Sequence, residues 1–218
     1  MENDPSARDE LKALGLRAVP VTLVGDKAIV GFNRTELTRA LGIRAQADEA
    51  RDTGWLYTKY QVILPAAVRA TRQVPDDKLE WHGAERERTL RQFTYHLFDR
   101  PLAAVQAYES GRYTQKDARR YEEEARAYPT AEAIAQFGEQ TIAYINEFLK
   151  KTTPHDLQRP VDSYSGPTTV GQLIDMALGH TTHHLRQLYH YLDQVGVKPE
   201  GPLTEKDFRD INVPTELF

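Results

Sequence analysis

Four long stretches in which apolar residues recur at helical spacing fill the chain after residue 45, and helix breakers separate them. They lie near 46–73, 83–110, 130–152 and 167–195. The breaks are Pro75 with Asp76 and Asp77, then Gly111, then Pro129, then Thr152 to Pro167, with Pro154, Pro160 and Gly166 between. Four amphipathic helices joined by such links predict a four-helix bundle. The link from 111 to 129 is charged (KDARRYEEEAR) and is expected to be partly helical. The segment from Gly196 to Phe218 carries Pro199, Pro202 and Pro214 and is expected to wrap irregularly. No strand signal is evident after residue 45.

The first 45 residues read differently. Ser6 to Leu14 predicts a short helix with Ser6 as its N-cap, ended by Gly15. Ala18 to Val24 and Lys27 to Gly31 are runs rich in β-branched residues, joined by the hairpin signal Gly25-Asp26. Thr35 to Leu41 predicts a second short helix. The expected fold is mainly α: a small N-terminal α/β appendage over 1–45 and a helical bundle over 46–218. So few elements make a thin core, so the appendage is expected to need a partner surface.

Charge and composition narrow the function. The net charge is −4 with no basic run, so nucleic acid is not an expected partner. No apolar run is long enough to span a bilayer. The opening MENDPSARDE is acidic, unlike a secretory signal, and a cytoplasmic setting is expected. Cysteine is absent, which excludes disulfides, thiolate ligands and a nucleophilic cysteine in this chain.

Residues 179–188 read GHTTHHLRQL and hold three of the seven histidines. At about 100° per residue, Val170, Leu173, Ile174, Ala177, Thr181, Leu188 and Leu192 gather on one face of the fourth helix. His184 sits inside that face and His180 at its edge. His183 and His190 point away. His180 and His184 thus form an i, i+4 pair able to share one ion. On the second helix, Leu90, Phe93 and Leu97 define the apolar face and His96 flanks it. A lone histidine beside an apolar face is more often a hydrogen-bonded core residue than a ligand; an inward i, i+4 pair strengthens the metal reading. Three imidazoles would leave coordination positions open, as catalytic sites do. His82, His155, His183 and His190 are expected at the surface or in outer contacts.

Tyr95-His96-Leu97-Phe98, followed much later by His-x-x-x-His-x-x-Gln-Leu at His180 to Leu188, resembles the DinB/YfiT-like family over roughly residues 46 to 195. The resemblance implies a four-helix bundle holding a metal on three histidines, here His96, His180 and His184. That family's last motif reads His-His-Arg-Gly-Gln-Leu, whereas Leu185-Arg186 replaces Arg-Gly here. The family includes transferases that use a low-molecular-weight thiol such as bacillithiol or mycothiol, and a thiol-dependent maleylpyruvate isomerase. The implied chemistry is a divalent metal, zinc or nickel, that binds the cofactor's thiol and lowers its pKa. Imidazole ligands alone do not select among zinc, nickel, iron and copper.

"GLRAVPVTLVGDKAIVGFNRTEL" is similar to the C-terminal half of a glutaredoxin without its Cys-x-x-Cys half. Val19-Pro20 matches the cis-proline position of that fold. The resemblance implies a thiol-docking role for Val19 and Pro20, or a structural appendage whose exposed edge favours a homodimer.

Trp55, Tyr57 and Tyr60 are expected in the core or an interface, and Trp81 and Tyr95 at a pocket mouth. Arg186 points off the histidine face, toward a partner subunit or an anionic substrate. Asp99 and Asp175 are the carboxylates nearest the ligands, with no inward carboxylate evident one turn away. The leading expectation is a thiol-dependent S-transferase acting on a small molecule. The alternatives are a metal-dependent hydrolase using metal-bound water and a non-catalytic metal- or ligand-binding stress-response protein.

Overall fold

A computed structural model describes residues 21–30, 37, 40–42, 51–84, 87–214, 216 and 217. The chain divides into two compact units, Met1–Glu49 and Ala50–Phe218, four residues beyond the boundary anticipated at 45.

In the first unit, β1 (Val21–Val24) pairs antiparallel with β2 (Lys27–Val30), with Val21 opposite Val30 and Val24 opposite Lys27. Gly25-Asp26 forms the turn, as the hairpin signal indicated. Among its described residues, Ile29 is buried. The helix expected over Ser6 to Leu14, most of Thr35 to Leu41, and both Val19 and Pro20 lie outside the described residues.

The second unit is the bundle. Its long helices are α1 (Thr53–Arg72), α2 (Leu90–Ser110), α5 (Ala131–Lys151) and α7 (Val170–Gln194). Each starts where a side chain caps the first backbone N–H groups: Asp52, Thr89, Thr130 and Thr169. Thr89 with Gln92, and Thr169 with Gln172, form capping boxes. These caps place the starts of α1 and α2 several residues later than the hydrophobic pattern suggested. Gly111 ends α2 with φ of 66°, a left-handed cap that glycine adopts without a Cβ clash. α1 packs on α5 and α7, and α2 packs on the same two, so α1 and α2 occupy opposite corners. The α2–α7 edge carries the histidines.

Between α2 and α5, α3 (Gln115–Arg119), α4 (Tyr121–Glu124) and a 3-10 turn (Ala125–Ala127) lie along α2. The charged link is therefore helical in pieces. A short helix α6 (Pro154–Leu157) follows α5. The expectation of no strand after residue 45 fails here. β3 (Arg112–Tyr113) pairs parallel with β4 (Pro160–Ser163), which pairs antiparallel with β5 (Thr168–Thr169). Two-residue strands are too short to show a period of two, so no sequence pattern announces them.

Two contacts join α2 to α7 beside the histidines. Pro101 lies inside α2 and has no N–H, so the Leu97 carbonyl four residues earlier lacks its helical donor. Thr181 on α7 donates its hydroxyl to that carbonyl at 3.2 Å. Phe93 places its ring edge-on to His184 and to Tyr191, with centroids 5.0 and 5.1 Å apart.

The C-terminal segment wraps back over the bundle. Arg51 donates to the Asp210 carbonyl, Arg69 to that of Gly201 and Arg186 to that of Pro214, each at 2.8 Å. Its backbone passes so close to α7 that a Cβ on Gly179 would sit 2.4 Å from the Asn212 carbonyl oxygen. Only glycine fits there.

Candidate metal centre

His96 points from α2 toward α7, where His180 and His184 lie one turn apart. His96 and His184 are 2% and 3% exposed, and His180 is partly exposed. One ring nitrogen from each falls within 4.8 Å of the others. His180 Nε2 is 3.0 Å from His96 Nε2. Ring centroids are 4.2 Å apart for His180–His184, 5.0 Å for His96–His180 and 5.6 Å for His96–His184. Nitrogens bound to one tetrahedral ion at the usual zinc–nitrogen length stand roughly 3.3 Å apart. The spacing and the all-nitrogen donor set therefore fit a divalent cation.

Two of the rings are fixed through their other nitrogen. His96 Nδ1 is 2.7 Å from Asp99 Oδ1, and His184 Nδ1 is 2.6 Å from Gln187 Oε1. Both oxygens accept, which places the proton on Nδ1 and directs the Nε2 lone pair at the cluster. The Gln187 amide is oriented in turn, because its Nε2 donates to the Leu217 carbonyl at 2.5 Å. Asp99 is fully buried. Arg120 donates to the Asp99 carbonyl at 2.8 Å and brings its Nε to 3.8 Å from Oδ2. Desolvation raises the Asp99 pKa, while Arg120 and Arg100 act to lower it. The Tyr121 ring covers His96 at 4.3 Å.

Burial holds the His180 pKa well below the usual imidazole value, and the neighbouring His184 and His96 add to the effect. A neutral imidazole is the form that donates a lone pair to a cation.

Several expectations about surrounding residues change. Asp99 is an inward carboxylate one turn from His96, contrary to the sequence reading. It sits at i+3, as Gln187 does from His184, and that shared spacing is the signal that marks both. Arg186 makes contacts with the C-terminal segment of its own chain. Its guanidinium holds the Pro214 carbonyl, with Glu205 at 3.6 Å. Tyr95 lines no pocket mouth: it is 2% exposed, stacks on Phe137 with centroids 4.7 Å apart and donates to Glu124 at 2.7 Å. Tyr60 is buried and donates to the Ile174 carbonyl at 2.9 Å. Trp55, Tyr57 and Trp81 are partly buried against the core. His82 and His155 are exposed, His190 lies 2.9 Å from the Gln194 amide, and His183 sits beside His184 without joining the three. Val19 and Pro20 are outside the described residues. Sequence reasoning missed Arg120 and Tyr121, which reach the site from the junction of α3 and α4 and from the start of α4.

A four-helix bundle with three histidines gathered on its α2–α7 edge defines a class of helical proteins whose core presents a group able to hold a metal ion. The sequence profile of the DinB superfamily matches residues 64–188, from α1 through the Gln187-Leu188 pair, and the chain belongs to that superfamily. The fold is similar to the 2.30 Å crystal structure of a DinB-like protein, YjoA, from Bacillus subtilis. The TM-score is 0.52 at 18% identity, over 65% of this chain and 92% of that one. No curated protein matches the sequence. No helix among the described residues is long and apolar enough to cross a membrane.

Proposed function

We propose that the protein is a metal-dependent enzyme that transfers the sulfur of a low-molecular-weight thiol to a small-molecule electrophile. His96, His180 and His184 hold the metal. The observation that carries this reading is the convergence of three histidine nitrogens within 4.8 Å, two of their rings fixed by buried acceptors. A bound divalent cation, zinc or nickel, supplies the charge that makes a thiol acidic near neutral pH.

This chain's residues do the positioning. Asp99 and Gln187 hold two rings in the ligating tautomer. Tyr121 and Phe93 wall the cluster and limit water. The partly exposed His180 edge is the side from which a substrate approaches. Without cysteine, the chain has no thiol of its own, so the sulfur arrives on the cofactor. A hydrolytic role needs a general base beside the cluster. Asp99, the carboxylate there, already holds the His96 ring through Oδ1 and lies behind it, which favours the thiol reading. The same proposal includes a cytoplasmic setting, where small thiols stay reduced. It also includes a glutaredoxin-like appendage in which Val19 and Pro20 help dock the thiol, and a homodimer formed through the hairpin edge.

The test is the metal content of protein purified without an affinity tag or chelator, for wild type and His184→Ala, followed by thiol titration of the cobalt-loaded form. About one equivalent per chain, lost in the variant, with a cobalt spectrum perturbed by the thiol, is the expected result. Absence of metal uptake by wild type overturns the metal reading. A cobalt spectrum unmoved by saturating thiols overturns the thiol reading alone.

A further inference from the structure

Among the donors buried near the histidines without a hydrogen-bond partner are groups of Arg88, Arg100 and Tyr113. Arg100 follows His96 by four residues and so lies on the same face of α2, one turn on. It is 9% exposed, its guanidinium lies 5.2 Å from the centre of the Tyr113 ring, and its Nε has no hydrogen-bond partner. The hydroxyl of Tyr113, itself 1% exposed, has none either. Arg88 precedes the N-cap of α2. It stacks 4.2 Å over Tyr121 and donates to that hydroxyl at 2.8 Å, while its Nη1 is buried without a partner. The Tyr121 ring is in turn 4.3 Å from His96.

We propose that these donors beside the histidines take a carboxylate-bearing small molecule, bound by Arg88 and by Arg100 with the Tyr113 hydroxyl. The proposal rests on reading the three histidines as the reaction centre and names the class of substrate that reaches it. The unsatisfied groups at both arginines and at Tyr113 are donors, and two carry positive charge. A buried cation without a partner is unfavourable, and a carboxylate supplies charge and paired acceptor oxygens together. Nearby carboxylates do not fill the role. Asp99 holds His96 through Oδ1 and its charge is felt by Arg100 and Arg88, but it hydrogen-bonds to neither, and Glu124 accepts from Tyr95. The two arginines also bear on the reaction centre: Arg88 stacks on Tyr121, whose ring lies 4.3 Å from His96, and Arg100 is one helical turn from His96. A substrate held there sits beside the histidines.

Calorimetric titration tests this on the cobalt-loaded full chain at fixed ionic strength, with succinate as the probe and its neutral diamide as the control. Succinate is expected to bind saturably and the diamide not. Arg88→Gln and Tyr113→Phe are each expected to weaken succinate by about tenfold or more, with metal content unchanged. Both changes are mild, since Arg88 is partly exposed and Phe keeps the Tyr113 ring; circular dichroism checks folding. Equal binding of succinate and diamide, or an unchanged Kd in both variants, overturns the proposal. The same titration on metal-free protein separates the two readings. Arginine-dependent binding there, with no metal uptake, would leave this proposal standing while the metal reading fails.

Discussion

Thr181 donates its hydroxyl to the Leu97 carbonyl, across the α2–α7 edge that carries the histidines. The carbonyl is available because Pro101, one turn on, has no N–H to give it. A proline inside α2 thereby creates an acceptor that fixes α7 in register beside His96.

Thr181→Val keeps the shape and leaves that buried carbonyl unsatisfied. It should destabilise the fold by about 1–3 kcal/mol in urea melts. Restoring the helical donor with Pro101→Ala should shrink the cost, since the two sites share one acceptor. Equal costs in both backgrounds would show that the loss does not come from the Leu97 carbonyl the two sites share.

Asp99→Asn should weaken metal binding by about 10–100-fold, because the neutral amide holds the His96 ring less firmly than the carboxylate. Competition with a chromophoric chelator measures this. An unchanged affinity would remove Asp99 from the site's positioning.

Folding lowers the His180 pKa, so below about pH 6.5 the unfolded chain takes up a proton that the folded chain rejects. Stability of the metal-free protein should therefore fall as pH drops from 7 toward 5, by at most about 1.4 kcal/mol per pH unit from this group. His180→Leu should flatten that slope. Chemical denaturation across the pH series reads it, and identical slopes in both proteins would contradict the assignment.

Gly179→Ala should displace the C-terminal wrap, since the new methyl meets the Asn212 carbonyl at 2.4 Å. The expected signs are faster proteolysis beyond residue 200 and a loss of about 1–3 kcal/mol. Weaker metal binding should follow, because Leu217 orients Gln187 and Gln187 orients His184. Wild-type proteolysis in the variant would mean the wrap tolerates the shift.

Much of the bundle could be read locally. The helices end where Gly111 and the segment after Lys151 said they would, because breakers act within a turn of themselves. Their starts were placed too early because apolar spacing continues past the caps, and only Asp52 and Thr89 mark where the backbone turns helical. Arg186 shows the limit from the other side. Helical rotation correctly put it off the histidine face, but which carbonyl it holds depends on a tail that returns from almost thirty residues away.

By itself the sequence determined the long helices, the inward pair His180 and His184, and the candidacy of His96, because each follows from helical periodicity. Tertiary structure decided what surrounds them. It brought α2 and α7 together so that two nitrogens 84 residues apart lie at 3.0 Å. It turned Asp99 inward onto His96 and laid Tyr121 and Arg120 over the site from the α3–α4 junction. It left Arg88, Arg100 and Tyr113 as buried donors. These relations depend on burial and on distances between separate elements, and a local pattern encodes neither.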